Sequence, residues 1–218
     1  MKPRVAHRQT AAMTLVEVMV VMVAIVLLLA IFLPTFRPAV KKTKRINCVN
    51  LLKQVGLCYF NWANDHDDKF PMSVSVANGG SMEPAQAGDA ASTFLVMSNE
   101  LSSPKILVCL SDTNRVASFS FGQGLNNSNI SYFVGLDASK EKPQTILSGD
   151  DNFAIGGVPV KSGLLELSTN APIVWTAARH NLYGNIGFAD GSVQSLGNSN
   201  LRINFHQTGL ATNRLAIP

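Results

Sequence analysis

The sequence predicts an α+β protein in which a long N-terminal helix precedes a mainly-β domain. Residues 18–36 carry no formal charge, close to the roughly 20 apolar residues that a helix needs to span hydrocarbon. Residues 65–218 instead place short β-branched or aromatic runs between Gly, Asn and Ser, a pattern typical of strands joined by turns. This second segment is long enough to bury a core of its own.

A short basic leader occupies residues 1–12, which contain no acid and three basic residues, Lys2, Arg4 and Arg8. A basic segment followed by an apolar run is typical of an export signal. Cleavage after the apolar run is disfavoured, because residues 34–37 (Pro-Thr-Phe-Arg) are a poor signal-peptidase site. Two alternatives stay open: an uncleaved signal anchor, or cleavage between Ala12 and Met13 that leaves the apolar helix in the product.

The net charge of +4 belongs to the flanks of the apolar run. Five basic residues follow the run between residues 37 and 45, whereas residues 54–218 carry 9 basic and 13 acidic residues, a net charge of −4. Nucleic-acid-binding domains have the opposite balance, so no nucleic-acid partner is expected. A basic cluster beside an apolar helix is suited to a lipid bilayer.

A carboxylate stands at the start of the apolar run. Glu17 follows Thr14 by three residues, the spacing of a capping box in which Thr14 is the N-cap and Glu17 lies at the positive end of the helix dipole. A charge within the membrane is costly unless it is paired, and the cap alone needs no partner from another subunit.

Residues 12–17 (Ala-Met-Thr-Leu-Val-Glu) resemble the cleavage and methylation motif of prepilins, the subunits of type IV pili and type II secretion pseudopili. Ala12 stands where the family usually has glycine, and Met13 where it commonly has phenylalanine. The resemblance implies cleavage after Ala12, N-methylation of Met13, and pairing of Glu17 with the N-terminal amine of a neighbouring subunit. It also places Pro34 where many pilins carry a helix-bending proline.

The resemblance further implies partners and a location. The protein would be a structural subunit of a pilus-like or pseudopilus filament and not an enzyme. Its partners would be the prepilin peptidase/N-methyltransferase, other pilin-like subunits and the inner-membrane assembly machinery. It would cross the inner membrane once, with a periplasmic or extracellular C-terminal domain, although the positive-inside rule alone favours the opposite orientation. The alternative function is an unpolymerised, membrane-anchored domain that binds a glycan or a protein partner.

The helix is expected to continue beyond the membrane. Apolar residues recur there at spacings of three and four, which predicts one buried helix face: Cys48, Leu51, Val55, Cys58 and Trp62. The polar cluster at residues 64–68 predicts the end of this helix. The chain therefore divides into a leader, an apolar helix, an amphipathic continuation and a globular domain, at residues 1–12, 13–36, 37–64 and 65–218.

Within the domain, Asp89 is predicted to cap a short helix that runs through Ser98. Strands are predicted over residues 105–110, 129–136, 145–147 and 172–176. The clearest pattern is a hairpin over residues 184–196, with Asp190 and Gly191 as central turn residues that both take positive φ. Ile186 and Phe188 are expected on one face, with Val193 opposite Phe188.

The three cysteines are Cys48, Cys58 and Cys109. The first two are ten residues apart on one helix, about 15 Å, so they cannot pair with each other. Either can meet Cys109 in an exported domain, or all three can remain reduced and buried. Residues 48–54 and 188–193 also resemble the C-x-x-N-L-K-Q and F-x-D-G-S-V motifs of one branch of pilin-like proteins. The first match departs from its motif before the lysine. This resemblance favours a Cys48–Cys109 disulfide.

No metal or other cofactor is expected. Residues 65–68 and 150–152 are acidic, but residues 65–68 lack the central glycine common in calcium loops, so calcium is the weaker interpretation at either cluster. Zinc is not expected, because the cysteines lack paired spacing. His180 is expected to be a hydrogen-bonded loop histidine, since no nucleophile motif accompanies it as a partner for a catalytic base.

Overall fold

The computed structural model describes residues 13–32, 36–122 and 124–218, and for residues 36–42 the backbone alone. The chain divides into two compact units, residues 1–42 and 43–218. Together they are α+β, with an apolar helix near the N-terminus and an antiparallel sheet in the C-terminal part.

Helix α1 (Leu15–Phe32) has 18 residues, and none of them is buried against another described residue. Its length and composition suffice to cross a membrane. The predicted apolar helix over residues 13–36 is thus present over most of its length. The leader, with the cleavage residue Ala12, and the predicted bend at Pro34 both lie outside the described residues.

Helix α2 (Phe36–Asn64) ends at the polar cluster of residues 64–68, as predicted. Four members of the expected stripe, Cys48, Val55, Cys58 and Trp62, are buried, and Leu51 is half-buried. Leu52 and Tyr59 broaden the buried face, as expected for a helix that covers a sheet rather than a narrow helical seam.

Short helices and turns occupy most of residues 65–131. Asp89 caps α4 as predicted, its Oδ1 accepting a hydrogen bond from the Ala91 backbone N–H at 3.0 Å, although α4 ends before Ser98. The α-helices of this region are α3 (Met82–Gln86), α4 (Ala90–Val96) and α5 (Ser98–Leu101). The 3-10 segments are Pro71–Ser73, Val76–Asn78, Pro104–Leu107 and Asn127–Asn129.

Two antiparallel sheets follow. The larger has six strands in the order β5-β9-β1-β2-β7-β8, and the smaller has three in the order β4-β3-β6. The strands are β1 (Tyr132–Gly135), β2 (Ile146–Asp150), β3 (Phe153–Ile155), β4 (Val158–Pro159), β5 (Gly163–Ser168), β6 (Ile173–Trp175), β7 (Tyr183–Phe188), β8 (Val193–Gly197) and β9 (Thr212–Ile217). Helix α6 (Asn198–Gln207) lies between β8 and β9.

The six-stranded sheet contributes to a core on each face. In β1, Tyr132 and Val134 join the core that contains α2, whereas Phe133 joins the core that contains α6 and the small sheet. This alternation follows from the two-residue period of a strand. The sequence predicted the strands β1, β2 and β6 but not α6 or the second sheet.

The predicted strand over residues 105–110 is wrong, because residues 104–107 form a 3-10 helix. Ser103 and Pro104 are the physical reason. The Ser103 side chain accepts a hydrogen bond from the Lys105 N–H, and proline presets the φ of a first helical residue. These local signals outweigh the strand propensity of the following apolar run.

The hairpin of β7 and β8 is confirmed, but its turn and register differ from the prediction. The Gly191 N–H donates to the Phe188 carbonyl, and Gly191 is the turn residue with positive φ, at 83°. The loop is therefore a three-residue turn that ends in a left-handed glycine. Val193 lies opposite Gly187 rather than Phe188, while Ile186 and Phe188 do share one core.

Replacing Leu52 by alanine should lower the free energy of unfolding by about 3 kcal/mol, because Leu52 is buried in the core that joins α2 to the sheet. Lys53→Ala, an exposed change on the next residue, should alter stability by no more than about 0.5 kcal/mol. Thermal unfolding of the full-length protein in detergent measures both. Equal effects of the two substitutions would contradict this packing.

Candidate functional site

The N-terminal motif forms a helix cap. The carboxylate Oε2 of Glu17 accepts hydrogen bonds from the Thr14 backbone N–H at 2.8 Å and from the Thr14 hydroxyl at 3.0 Å. In return the Glu17 backbone N–H donates to the Thr14 hydroxyl at 3.3 Å. This confirms the predicted capping box, and Met13 lies exposed immediately before it. The assembly role of Glu17 stays a prediction.

A second site lies inside the globular unit, where four side chains from distant parts of the sequence meet. We call it the cysteine centre, and its members are Cys48, Cys109, Asp150 and His180. Helix α2 supplies the first, the loop after the 3-10 helix at residues 104–107 the second, and the loop between β6 and β7 the histidine. Asp150 ends strand β2.

The two sulfur atoms of the cysteine centre are the closest pair in it. Cys48 Sγ lies 2.6 Å from Cys109 Sγ, and Cys109 Sγ lies 3.2 Å from the Nε2 atom of His180. Both thiols are free, and both cysteines are 0% exposed. The pair that the sequence favoured for a disulfide is therefore in contact. Cys58 is separate, because its thiol donates to the Glu100 carbonyl.

Asp150 places a buried carboxylate beside the histidine. Its Oδ2 lies 3.6 Å from Nε2 of His180 and accepts hydrogen bonds from the backbone N–H and side-chain amide of Asn185, at 2.8 and 2.9 Å. Among the described residues, Oδ1 of Asp150 and the buried hydroxyl of Tyr132 have no hydrogen-bond partner. Buried polar atoms without a hydrogen-bond partner are rare in folded proteins, so the cysteine centre is an unusual cluster of polar groups within the core.

Two arginines and two further carboxylates surround the centre. Arg179 pairs with Asp112 at 2.7 Å and with Asp151, and it donates to the Ser131 carbonyl at 3.0 Å. Arg115 also pairs with Asp151, at 2.6 Å. With Asp150, three carboxylates therefore face two guanidinium groups, and a protonated His180 balances the third.

The loop that presents His180 has an uncommon backbone. Asn181 and Leu182, which follow the histidine, have φ of 53° and 65°. Two consecutive non-glycine residues in the left-handed region are strained, and such strain persists only where surrounding contacts impose it. The Arg179 ion pairs anchor one side of the loop, and the Leu182 N–H, which donates to the Thr176 carbonyl, anchors the other.

The contacts in the centre shift the pKa values of its groups. Hydrogen bonding from the Cys109 thiol lowers the pKa of Cys48 to about 5, against the opposing effect of burial, and His180 acts in the same direction. Donation to Cys48, together with burial, raises the pKa of Cys109 far above its ordinary value. Cys48 is therefore the thiolate of the pair, and a thiolate is the form of cysteine that attacks disulfides.

The same set of atoms offers metal ligands. Cys48, Cys109 and His180 place two sulfurs and one ring nitrogen within 4.8 Å of one another, the one group of three or more such ligands within residues 13–32, 36–122 and 124–218. The spacing of the cysteines argued only against a zinc site made of ligands that are close in the sequence. It does not apply to these three residues, which come from separate segments of the chain. The arrangement can therefore support thiol–disulfide exchange or hold a thiophilic ion.

Neither calcium candidate gathers free carboxylates. Asp68 pairs with Lys140 at 2.6 Å, and Asp65 and Asp67 are exposed at the end of α2. Asp150 and Asp151 are buried and already bind Asn185 and the arginines. Asp151 lines a cavity of about 350 Å³ together with Arg115, Asn152, Phe153, Thr176 and Arg179.

His180 is a hydrogen-bonded loop histidine, as the sequence predicted. The sequence did not predict that Asp150 and Arg179 lie beside the two cysteines and His180. One feature of the sequence could have indicated the site. Asp150 and Asp151 closely follow the predicted strand over residues 145–147, and acidic residues at the end of a buried strand require polar partners.

Comparison with known proteins identifies no relative: no family model, no curated protein and no solved structure matches the chain.

The Asp150 contribution to the stability of the domain should fall as the pH rises from about 4 to about 6, whereas Cys48, whose pKa is lowered to about 5, has the opposite effect above pH 5 while it is reduced. Burial raises the pKa of Asp150 to about 6, so the folded state holds a proton there that the unfolded chain releases near 3.8. Burial lowers the pKa of His180, but the Cys48 hydrogen bond and the Asp150 charge outweigh it and raise that pKa, which favours the folded state at low pH in the same way. The Asp150 contribution amounts to about 3 kcal/mol.

Thermal unfolding across this pH range measures the effect. Asp150→Asn removes this titrating group, so the difference between its pH curve and that of the wild type should reveal the Asp150 contribution, whereas Asp65→Asn, which changes an exposed carboxylate, should follow the wild-type curve. Parallel curves for the wild type and Asp150→Asn would show that Asp150 does not carry the dependence.

Proposed function

We propose that the protein is a structural subunit of a type IV pilus-like or type II secretion pseudopilus filament. Prepilin peptidase cleaves it between Ala12 and Met13 and methylates Met13. The mature chain then remains in the inner membrane, with its globular domain on the periplasmic side, until contacts of α1 incorporate it into a filament. The observation that carries the proposal is α1 itself, an apolar helix of 18 unburied residues with a single carboxylate in its first turn.

An apolar helix with no residue buried in the described part of the chain requires a medium or a second protein to cover it. A lipid bilayer covers it before assembly, and the helices of neighbouring subunits cover it in a filament. Glu17 caps the helix in either case, but a charge within the membrane is costly unless it is paired, and a neighbouring subunit in a filament can supply that partner. The basic leader and the six-residue motif around the cleavage site support the same conclusion.

The capping box leaves Glu17 able to serve a second partner. Both hydrogen bonds from Thr14 reach Oε2, and a carboxylate has acceptor positions on each of its oxygens. Oε1 can therefore accept from the methylated amine of Met13 in an adjacent copy. That pairing would neutralise the charge within the apolar bundle and fix the axial register of neighbouring helices.

Helix α2 offers a further contact for neighbouring subunits. Ile46 and Leu57 are exposed on it, at 51% and 63% of their surface. They are 11 residues apart, which places them within about 20° of each other around the helix axis. These two side chains, with the exposed Lys53 between them on the same face, are available for packing against the helix of another copy.

Glu17→Gln tests the assembly role, since it keeps the size of the side chain and removes the charge. We expect the variant to be made and inserted but to yield at least tenfold fewer filaments in the sheared cell-surface or secretion fraction. Glu141→Gln, the same chemical change at an exposed position of the domain, should assemble normally.

Thr14→Ala separates the cap from the assembly contact. It removes the hydroxyl of the capping box and keeps the carboxylate. Filament yield should stay close to the wild type if Glu17 acts between subunits. A loss equal to that of Glu17→Gln would show that the carboxylate serves the helix cap alone.

The alternative, an unpolymerised anchored domain that binds a ligand, is favoured by the cavity beside Arg115 and Asp151. Its lining combines charged, amide and aromatic groups, and the buried Oδ1 of Asn152 has no hydrogen-bond partner in the described part of the chain. A small polyhydroxylated ligand, such as a glycan, matches this chemistry. Under this alternative, Glu17→Gln would leave ligand binding by the anchored domain intact. The filament assay distinguishes the two functions, because only a filament subunit would lose filament yield.

A further inference from the structure

We propose that Cys48 and Cys109 are joined by a disulfide in the exported protein, and that this cross-link fastens the turn of α2 around Cys48 to the globular domain. The cross-link itself is independent of the proposed function, whereas its mechanical role rests on it. The two sulfurs already lie 2.6 Å apart in a fully buried position, 61 residues apart in the chain.

The geometry favours a disulfide over a metal ion. Two sulfurs on one tetrahedral zinc ion lie about 3.7 Å apart, because each Zn–S bond is about 2.3 Å. Cys48 and Cys109 are closer than that, so zinc would have to separate them, whereas a disulfide needs only a small approach.

Charge balance leads to the same choice. A zinc ion with two thiolates is neutral overall and would bind the nitrogen of His180 that faces Asp150. The Asp150 carboxylate would then lose its cation inside the core. A disulfide is also neutral, but it leaves His180 free to carry a proton beside Asp150, so the three carboxylates and three cations of the centre remain balanced.

The bond forms by thiol–disulfide exchange with a disulfide-bearing oxidant of the exported compartment. The Cys48 thiolate attacks one sulfur of the oxidant and releases its other sulfur as a thiolate. Cys109 then loses its proton to solvent and attacks the Cys48 sulfur of the mixed disulfide, which releases the second sulfur of the oxidant as a thiolate. The two cysteines are oxidised, and the oxidant is reduced to two thiols. Because both sulfurs are buried, the exchange must precede the final docking of α2.

The position of Cys48 along α2 determines how the cross-link would resist mechanical tension. Residues 43–47 are exposed or half-buried, and Cys48 is the first buried residue of α2 in the stretch 43–64. In a filament, tension reaches the domain from the membrane end of the helix, so the contact at Cys48 is loaded first. A covalent bond there prevents the helix from peeling away, since the remaining contacts can no longer break one after another.

Peptide mapping of the natively exported full-length protein tests the bond. Free thiols are alkylated in denaturant before digestion without reductant. We expect one linked peptide pair that contains Cys48 and Cys109 and disappears on reduction, with Cys58 alkylated in every sample. Alkylation of both Cys48 and Cys109, or about one equivalent of zinc in the purified protein, would overturn the proposal.

Stability measurements test whether the bond restrains the fold, with Cys58→Ser as the matched control. Reductant should lower the Tm of the wild type and of Cys58→Ser by roughly 10 °C, because the cross-link closes a long loop. Cys48→Ser and Cys109→Ser should melt at the same temperature with and without reductant, which removes any packing effect of serine from the comparison. An unchanged Tm of the wild type on reduction would overturn the proposal.

Shear resistance tests the mechanical role separately from assembly. Filaments of the Cys48→Ser/Cys109→Ser double variant should form in normal yield but fragment at lower shear than wild-type filaments, whereas Glu17→Gln should lower the filament yield at least tenfold at every shear. Equal shear resistance of wild-type and double-variant filaments would overturn the mechanical role. That outcome would leave the proposed function standing, because assembly through α1 would still occur.

Discussion

The burial of one face of α2 against the six-stranded sheet is the constraint on which the rest of the globular unit depends. The helix stripe from Cys48 to Trp62 supplies the centre of one core, and the strands that meet it must turn alternate side chains to the opposite face. Those side chains would be exposed without α6 and the three-stranded sheet, which cover them. The same packing brings Cys48, on the helix, to Cys109 and His180, on loops that no sequence motif connects.

The cysteine centre is a polar group of side chains that this packing traps in the core. Asp150 is ionised there only at a cost, because burial raises its pKa to about 6, and His180 is the cation that stands nearest to it. The strained backbone after His180 and the ion pairs of Arg179 keep the imidazole in place.

The sequence allowed the fold to be predicted where local patterns decide it. The charge-free run, the stripe on α2, the Asp89 cap and the β7–β8 hairpin all follow from spacing along the chain, and each is present in the structure. Predictions failed where the outcome depends on partners that are distant in sequence or on competing local signals. Ser103 and Pro104 converted an expected strand into a 3-10 helix, and a left-handed Gly191 moved Val193 by one position. The gathering of Asp150 and Arg179 with two cysteines depends on the sheet topology, which spacing does not encode. The capping box at Thr14 and Glu17 was predictable because it is local, whereas the proposed contact of Glu17 with another subunit depends on a second copy of the chain.

The proposed assembly requires that the mature protein keeps the exposed apolar helix α1. It also requires that Glu17, near the start of this helix, can contact a neighbouring subunit. The state of the N-terminus reports on this directly, because only cleavage before α1 retains the helix and creates the amine that Glu17 would bind. Intact mass spectrometry of the natively produced protein should find a chain that begins at Met13 and carries one added methyl group. A functional protein that still begins at Met1, with residues 1–12 attached, would contradict the account.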